Sequence, residues 1–202
     1  MTEIKPGINV HETAYVDPSA TLQGNVTIGP WSRIAAGVVI TGNVTIGEHT
    51  SIYCNTAIRG TVTIGDYVQI YDCVCIEGGR APNRGTSGPG DRTILKRGAW
   101  INHGASLHGS QIGEYAAVGL NACLDYNCRI GDGAIVMNGS ACRVNTVVPA
   151  NCVAEGVPAK IVRENITDDD RLELIGLTIR SEAVLMAQGS DAFIKRMKGP
   201  LT

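Results

Sequence analysis

Aromatic residues are scarce: the 202-residue chain has one Phe, two Trp and six Tyr. A core of stacked rings is therefore excluded, and the interior must be filled by small and β-branched aliphatic side chains. Net charge is nearly absent as well, formally −2 at pH 7. That balance offers no field for a polyanion and argues against a nucleic-acid partner. No apolar run reaches the length of a membrane span, and the opening MTEIKPGINV lacks the apolar centre of a signal peptide. The expectation is a cytoplasmic chain with no membrane partner. The seven cysteines show neither paired CxxC ligands nor a secreted disulfide framework. Cys128, Cys142 and Cys152 read as reduced, inward-facing apolar fillers.

What the chain does have is glycine, 25 residues of it, and a period of six. From Val10 it divides into VHETAY, VDPSAT, LQGNVT, IGPWSR, IAAGVV, ITGNVT, IGEHTS, IYCNTA, IRGTVT, IGDYVQ and IYDCVC. After a break it resumes at LKRGAW and INHGAS, runs through LHGSQ (one residue short), and continues to VPANCV and AEGVPA. The first slot is nearly always Ile, Val or Leu; the fifth is small or a hydroxyl residue. Slot five and the next slot one lie two residues apart, so both face inward on a short strand. Gly, Asn and Asp in slots two to four supply the turn. A helix cannot hold a strict period of six. The expected fold is an all-β solenoid, residues 1–162, with a loop insertion at about 78–93. Residues 163–202 form a C-terminal helical segment, with Thr167 as N-cap, an apolar stripe of Leu172, Ile175, Ile179 and Leu185, and a second short helix around 191–198.

This pattern resembles the hexapeptide repeat of left-handed parallel β-helices, in which three hexapeptides complete one triangular coil. The repeat then serves as a ruler. Counting three units at a time stacks Arg59, Glu77, His108 and Asp125 in one column on one corner of the prism. The same count sets Asp72 directly below His103 on the neighbouring corner. His103 and His108 thus stand a whole face apart, too far to share a ligand within one chain. They can act together only between chains, as a threefold assembly would allow.

At INHGASLHGSQIG, TAIRG, IGDYVQIYD and VPAK the sequence resembles the γ-class carbonic anhydrase family and its phenylacetate- and carnitine-pathway relatives. The resemblance implies a homotrimer binding a divalent metal, usually zinc, at each subunit interface, with His103 and His108 as ligands from different protomers. Glu77 replaces the family's first ligand histidine, Thr61 its Arg-paired Asp, and Tyr71 its Gln; Asp72 is kept. As a ligand, Glu77 would complete a two-His, one-carboxylate set that suits zinc or iron(II). Otherwise it pairs with Arg59 and no metal binds. Glu77, Asp72 and Tyr71 are the expected catalytic residues, Asp72 orienting His103 or handling a proton. Arg59, Tyr126 and the loop arginines Arg80 and Arg84 are the expected contacts to a small anionic substrate. The resulting expectation is a metal-dependent lyase or hydrolase activating water or a carbonyl. Two rivals are an acyl-CoA thioesterase or acyltransferase with a histidine base, and a non-catalytic trimeric binding module.

Overall fold

The computed structural model describes residues 7–79 and 92–175. Alternation of one inward aliphatic with a solvated turn produces twenty-one short strands and one helix among the described residues. All strand pairs are parallel until the last. The chain winds as a left-handed parallel β-helix with three faces. The first face stacks Ala57–Gly60, Cys75–Gly78, Ser106–His108, Cys123–Leu124 and Ala141–Cys142. The second stacks Val62–Ile64, Thr93–Leu95, Gln111–Ile112, Arg129–Ile130 and Val147–Val148. The third runs from Tyr15–Val16 through Gln69–Ile70 and Trp100–Ile101 to Val153–Gly156.

In the lower coils the first two faces are joined without a break: Thr21–Ile28, Val39–Ile46 and Ala57–Ile64 pair along their full eight residues. Their common corner is a column of glycines, Gly24, Gly42 and Gly60, at φ of +95°, +111° and +84°. That left-handed backbone costs glycine nothing sterically. Packing allows nothing larger either, since a Cβ on Gly42 would lie 2.4 Å from the Gly60 carbonyl oxygen.

Slot one fills the interior. Ile28, Ile46, Ile64 and Leu95 form one buried column, Ile34, Ile52, Ile70 and Ile101 a second, and Ile40, Ile58, Ile76 and Leu107 a third. Each such side chain contributes about 2–3 kcal/mol by leaving water. Slot five closes the corners: Ser32 Oγ donates to Gly47 O (2.7 Å), Thr50 Oγ1 to Gly65 O (2.8 Å) and Thr56 Oγ1 to Tyr71 O (2.8 Å). Buried turn carbonyls are thereby satisfied, as a dry interior requires. Higher up, Cys128, Cys142 and Cys152 take inward positions. Burial pushes the Cys128 and Cys142 thiols up to about 12 and about 11, so they are packing groups and not nucleophiles.

The solenoid stops differently from the repeat. The last hexad, AEGVPA, does not begin another coil; Ala159–Arg163 returns antiparallel on Val153–Gly156 and closes the third face. The helix then spans Asp168–Ile175. Thr167 caps it as expected, Oγ1 accepting from Asp170 N at 3.2 Å while Asp170 Oδ2 accepts from Thr167 N at 2.7 Å. Its buried face departs from the expected stripe. Leu172 is 52% exposed, whereas Arg171 is 3% exposed and donates to the carbonyls of Gly133 and Tyr115. Corner carbonyls left open by the coil make a cation the better filler there than a leucine. Leu174 and Ile175 pack with Trp100 and Met137 around Ala117, Ile135 and Val153 on the third face. Ile179, Leu185 and the second helix lie outside the described residues.

Candidate active site

The first cluster occupies the corner between the third and first faces. Asp72 lies in the turn between Gln69–Ile70 and Cys75–Gly78, and His103 in the turn one coil above. Backbone register locks the two turns, Gly104 N donating to Asp72 O at 3.0 Å. As a result His103 Nδ1 sits 3.1 Å from Asp72 Oδ2. The other carboxylate oxygen, Oδ1, accepts from Cys54 N at 2.9 Å. The acid is thus fixed from below and holds the imidazole from beneath. Tyr71 flanks the pair: its ring lies 4.8 Å from His103, 5.6 Å from Trp100 and stacked at 4.9 Å on Tyr53. About half of the His103 side chain and two-fifths of the Asp72 side chain remain in solvent.

The second cluster occupies the opposite edge of the first face. Arg59, Glu77 and His108 are direct register partners on successive coils. The Tyr126 ring stands edge-on to His108 with centroids 5.8 Å apart, held by Tyr126 N donating to Asp125 Oδ1 at 2.7 Å. Glu77 is exposed and His108 half-buried. Arg59 turns its guanidinium to Cys75 Sγ at 3.6 Å, and no ion pair joins it to Glu77 among the described residues. Cys75, then Glu77, hold Arg59 more firmly protonated.

Cys75 as the partner of Arg59 was not foreseen. It occupies an outward slot whose neighbours above are Ser106 and Cys123, and slot six carries no pattern that marks it. His103 and His108 are five residues apart across a turn and a strand, Ser106–His108, a span of at most about 17 Å. Among the described residues, no group of three His, Cys, Asp or Glu within one chain could hold a metal ion. Arg80 and Arg84 lie outside the described residues, and no described helix is long and apolar enough to cross a membrane.

Chemically, the first cluster is a histidine whose Nδ1 faces a carboxylate, leaving Nε2 uncommitted. Such a group can accept a proton or donate a lone pair. Comparison with known proteins gives this geometry a context. Residues 7–42 match the family described as bacterial transferase hexapeptide (six repeats). In solved structures the fold recurs in a putative acetyltransferase from Bacillus cereus, at 24% identity and TM-score 0.68 over 94% of this chain and 92% of that one. It recurs in UDP-N-acetylglucosamine O-acyltransferase from Moraxella catarrhalis, at 20% identity and TM-score 0.55 over 94% and 96%. The carnitine operon protein CaiE of Proteus sp. (strain LE138) is 33% identical over 164 residues. CaiE of Escherichia coli (strain K12) is 30% identical over 161 residues, spanning 80% of this chain and 69% of the relative. With coil, register and identity in agreement over that length, the chain belongs to the hexapeptide-repeat family of the carnitine operon protein CaiE.

Proposed function

We propose that the protein transfers the acyl group of a thioester donor such as an acyl-CoA, with His103 as general base. The observation that carries this reading is the 3.1 Å contact of His103 Nδ1 with Asp72 Oδ2, itself pinned by Cys54 N. With the Nδ1 proton donated to Asp72, the Nε2 lone pair can take a proton from an attacking hydroxyl, amine or water. Asp72 fixes the tautomer and stabilises the imidazolium that results. The attacking atom bonds to the thioester carbonyl, the thiolate leaves, and the proton on Nε2 passes to it. Tyr71 borders the imidazole, its ring 4.8 Å away. Arg80 and Arg84 suit the phosphates of such a donor. The family description, a bacterial transferase, supports transfer over hydration.

The half-exposed dyad needs cover to exclude water. A homotrimer supplies it by setting the Glu77–His108 edge of one protomer against the Asp72–His103 edge of the next. Turnover of acyl-CoA thioesters, followed by thiol release with and without a chelator, tests the reading. Thiol release that persists in chelator and vanishes in His103→Ala is expected; an inactive wild-type protein across short and long acyl groups contradicts it.

A second reading rests on a different observation, the direct register of Glu77 with His108. Carboxylate and imidazole donors fit zinc or iron(II), and the uncommitted Nε2 of His103 from another protomer would complete a set of three. Such an ion would supply Lewis acidity toward water or a carbonyl. Elemental analysis decides between the readings. One divalent ion per chain, lost in Glu77→Ala, favours the metal reading; metal-free active protein favours acyl transfer.

A further inference from the structure

Below His103 on the third face runs a stack of rings that the His103–Asp72 contact does not itself require. Tyr53 and Tyr71 take the second slot of successive coils, where Tyr53 N donates to Ile70 O at 2.8 Å and Tyr71 N to Ile101 O at 2.9 Å. Their rings lie 4.9 Å apart and within 3° of parallel. The Arg33 guanidinium sits 5.2 Å from the Tyr53 centroid, and Trp100 meets Tyr71 at 5.6 Å and 46°. These side chains stand on the outward side of the coil and are half-buried, so the stack does not fill the core. In a chain with only six tyrosines and two tryptophans, three such rings gather beside one imidazole. That placement calls for a reason beyond packing.

The imidazole supplies the reason. Among the described residues its ring makes one polar contact, Nδ1 to Asp72 Oδ2 at 3.1 Å, and about half of the side chain is in solvent. A single contact fixes where Nδ1 lies but leaves the ring plane free to tilt about it, and Nε2 swings with the plane. The Tyr71 ring, 4.8 Å away at 50°, gives that plane a second contact. The slot-two side chain of the coil above is turned elsewhere, Asn102 Oδ1 accepting from His103 N at 2.8 Å. Tyr71 could hold nothing if its own ring turned; Tyr53 beneath it and Trp100 beside it restrict it to the observed rotamer. Misplacing a reacting group by about 1 Å costs on the order of 100-fold in rate.

We infer that Tyr53 is a positioning residue for His103, acting through Tyr71. Its ring supports the Tyr71 ring, which holds the imidazole plane and with it the direction of the Nε2 lone pair. The inference rests on the acyl-transfer reading for the reaction it serves. The ring-on-ring support is a property of the free protein and is readable without turnover. Tyr53 stands one ring removed from the base, so it contributes aim and not chemistry.

Two measurements on the full-length protein test it. One is steady-state thiol release from an acyl-CoA. The other is the set of imidazole C–H resonances of protein labelled in its four histidines, with His103 assigned by its loss in His103→Ala. In Tyr53→Leu, kcat falls about tenfold while KM stays within about twofold; Tyr53→Phe, which keeps the ring, stays within about twofold of wild type in both. The His103 resonance, displaced in wild type by the Tyr71 ring current, moves in Tyr53→Leu toward its position in Tyr71→Leu and is unmoved in Tyr53→Phe. A folded Tyr53→Leu with wild-type kcat overturns the inference. So does an unmoved His103 resonance in that variant, or a Tyr53→Phe that falls as far as Tyr53→Leu. Should Tyr53→Leu not fold, Tyr53→Met, which keeps an apolar side chain without a ring, decides by the same two readouts. A wild type that releases no thiol from any thioester refutes acyl transfer, and the His103 resonance alone then decides this inference.

Discussion

The imidazole of His103 rests on the carboxylate of Asp72 one coil below, Nδ1 to Oδ2 at 3.1 Å, although the whole insertion after Gly79 separates them in sequence. Sheet register, and not proximity along the chain, makes the pair. Asp72→Asn keeps the turn and its size but offers an amide where the imidazole needs an acceptor for its N–H. Turnover should fall about 10²- to 10⁴-fold, the usual contribution of a positioned base, with little change in melting temperature. Steady-state kinetics beside a thermal melt checks this; an Asp72→Asn enzyme within about threefold of wild type contradicts it.

The glycine column is a separate commitment of the fold. Gly42→Ala places a Cβ 2.4 Å from the Gly60 carbonyl oxygen at a φ of +111°. Strain at one such residue costs about 1–3 kcal/mol, and the stacked backbone has no room to relax. Chemical denaturation should show a loss at the upper end of that range or beyond, while Asn25→Ala beside the same corner costs less than about 1 kcal/mol.

Burial of Cys128 sets an alkaline limit. Its folded pKa, about 12, lies above the ordinary 9.0, so the native state holds the thiol proton more tightly than the unfolded chain does. That contribution is fully present below about pH 9 and is lost as pH rises toward about 12. Denaturant midpoints measured from pH 8 to 11 should decline less steeply in Cys128→Ala than in wild type. Parallel curves contradict the assignment.

Arg171 anchors the terminal helix through the Gly133 and Tyr115 carbonyls. Arg171→Ala leaves both oxygens buried and bare, at about 3 kcal/mol, and uncovers Ala117 and Ile135. Increased binding of a hydrophobic dye together with a lower melting temperature is the expected signature; a dye response equal to wild type counts against it.

Much of this was legible in the sequence because the repeat is a coordinate system. A period of six fixed the three faces, and counting by coils placed Asp72 beneath His103 and Glu77 beneath His108, as the register shows. The helix N-cap was equally readable at Thr167. Outward slots were not. Nothing in the pattern distinguishes Cys75 from Ser106, or marks Gln69 as buried, because their environment depends on what covers the face. Arg171 was hidden for the same reason: a charged residue reads as solvated unless the carbonyls it meets are known. AEGVPA matched the period by composition yet formed a hairpin, since only pairing partners decide the direction of a terminal strand.

The central claim is that the imidazole held by Asp72 works as a base on a thioester. The most direct measurement is thiol release from an acyl-CoA series by wild type and His103→Ala, both metal-stripped with chelator. The account predicts turnover by wild type and a loss of at least about 10²-fold in the variant. Equal rates for the two, or activity in wild type that returns only with added zinc or iron(II), would contradict it.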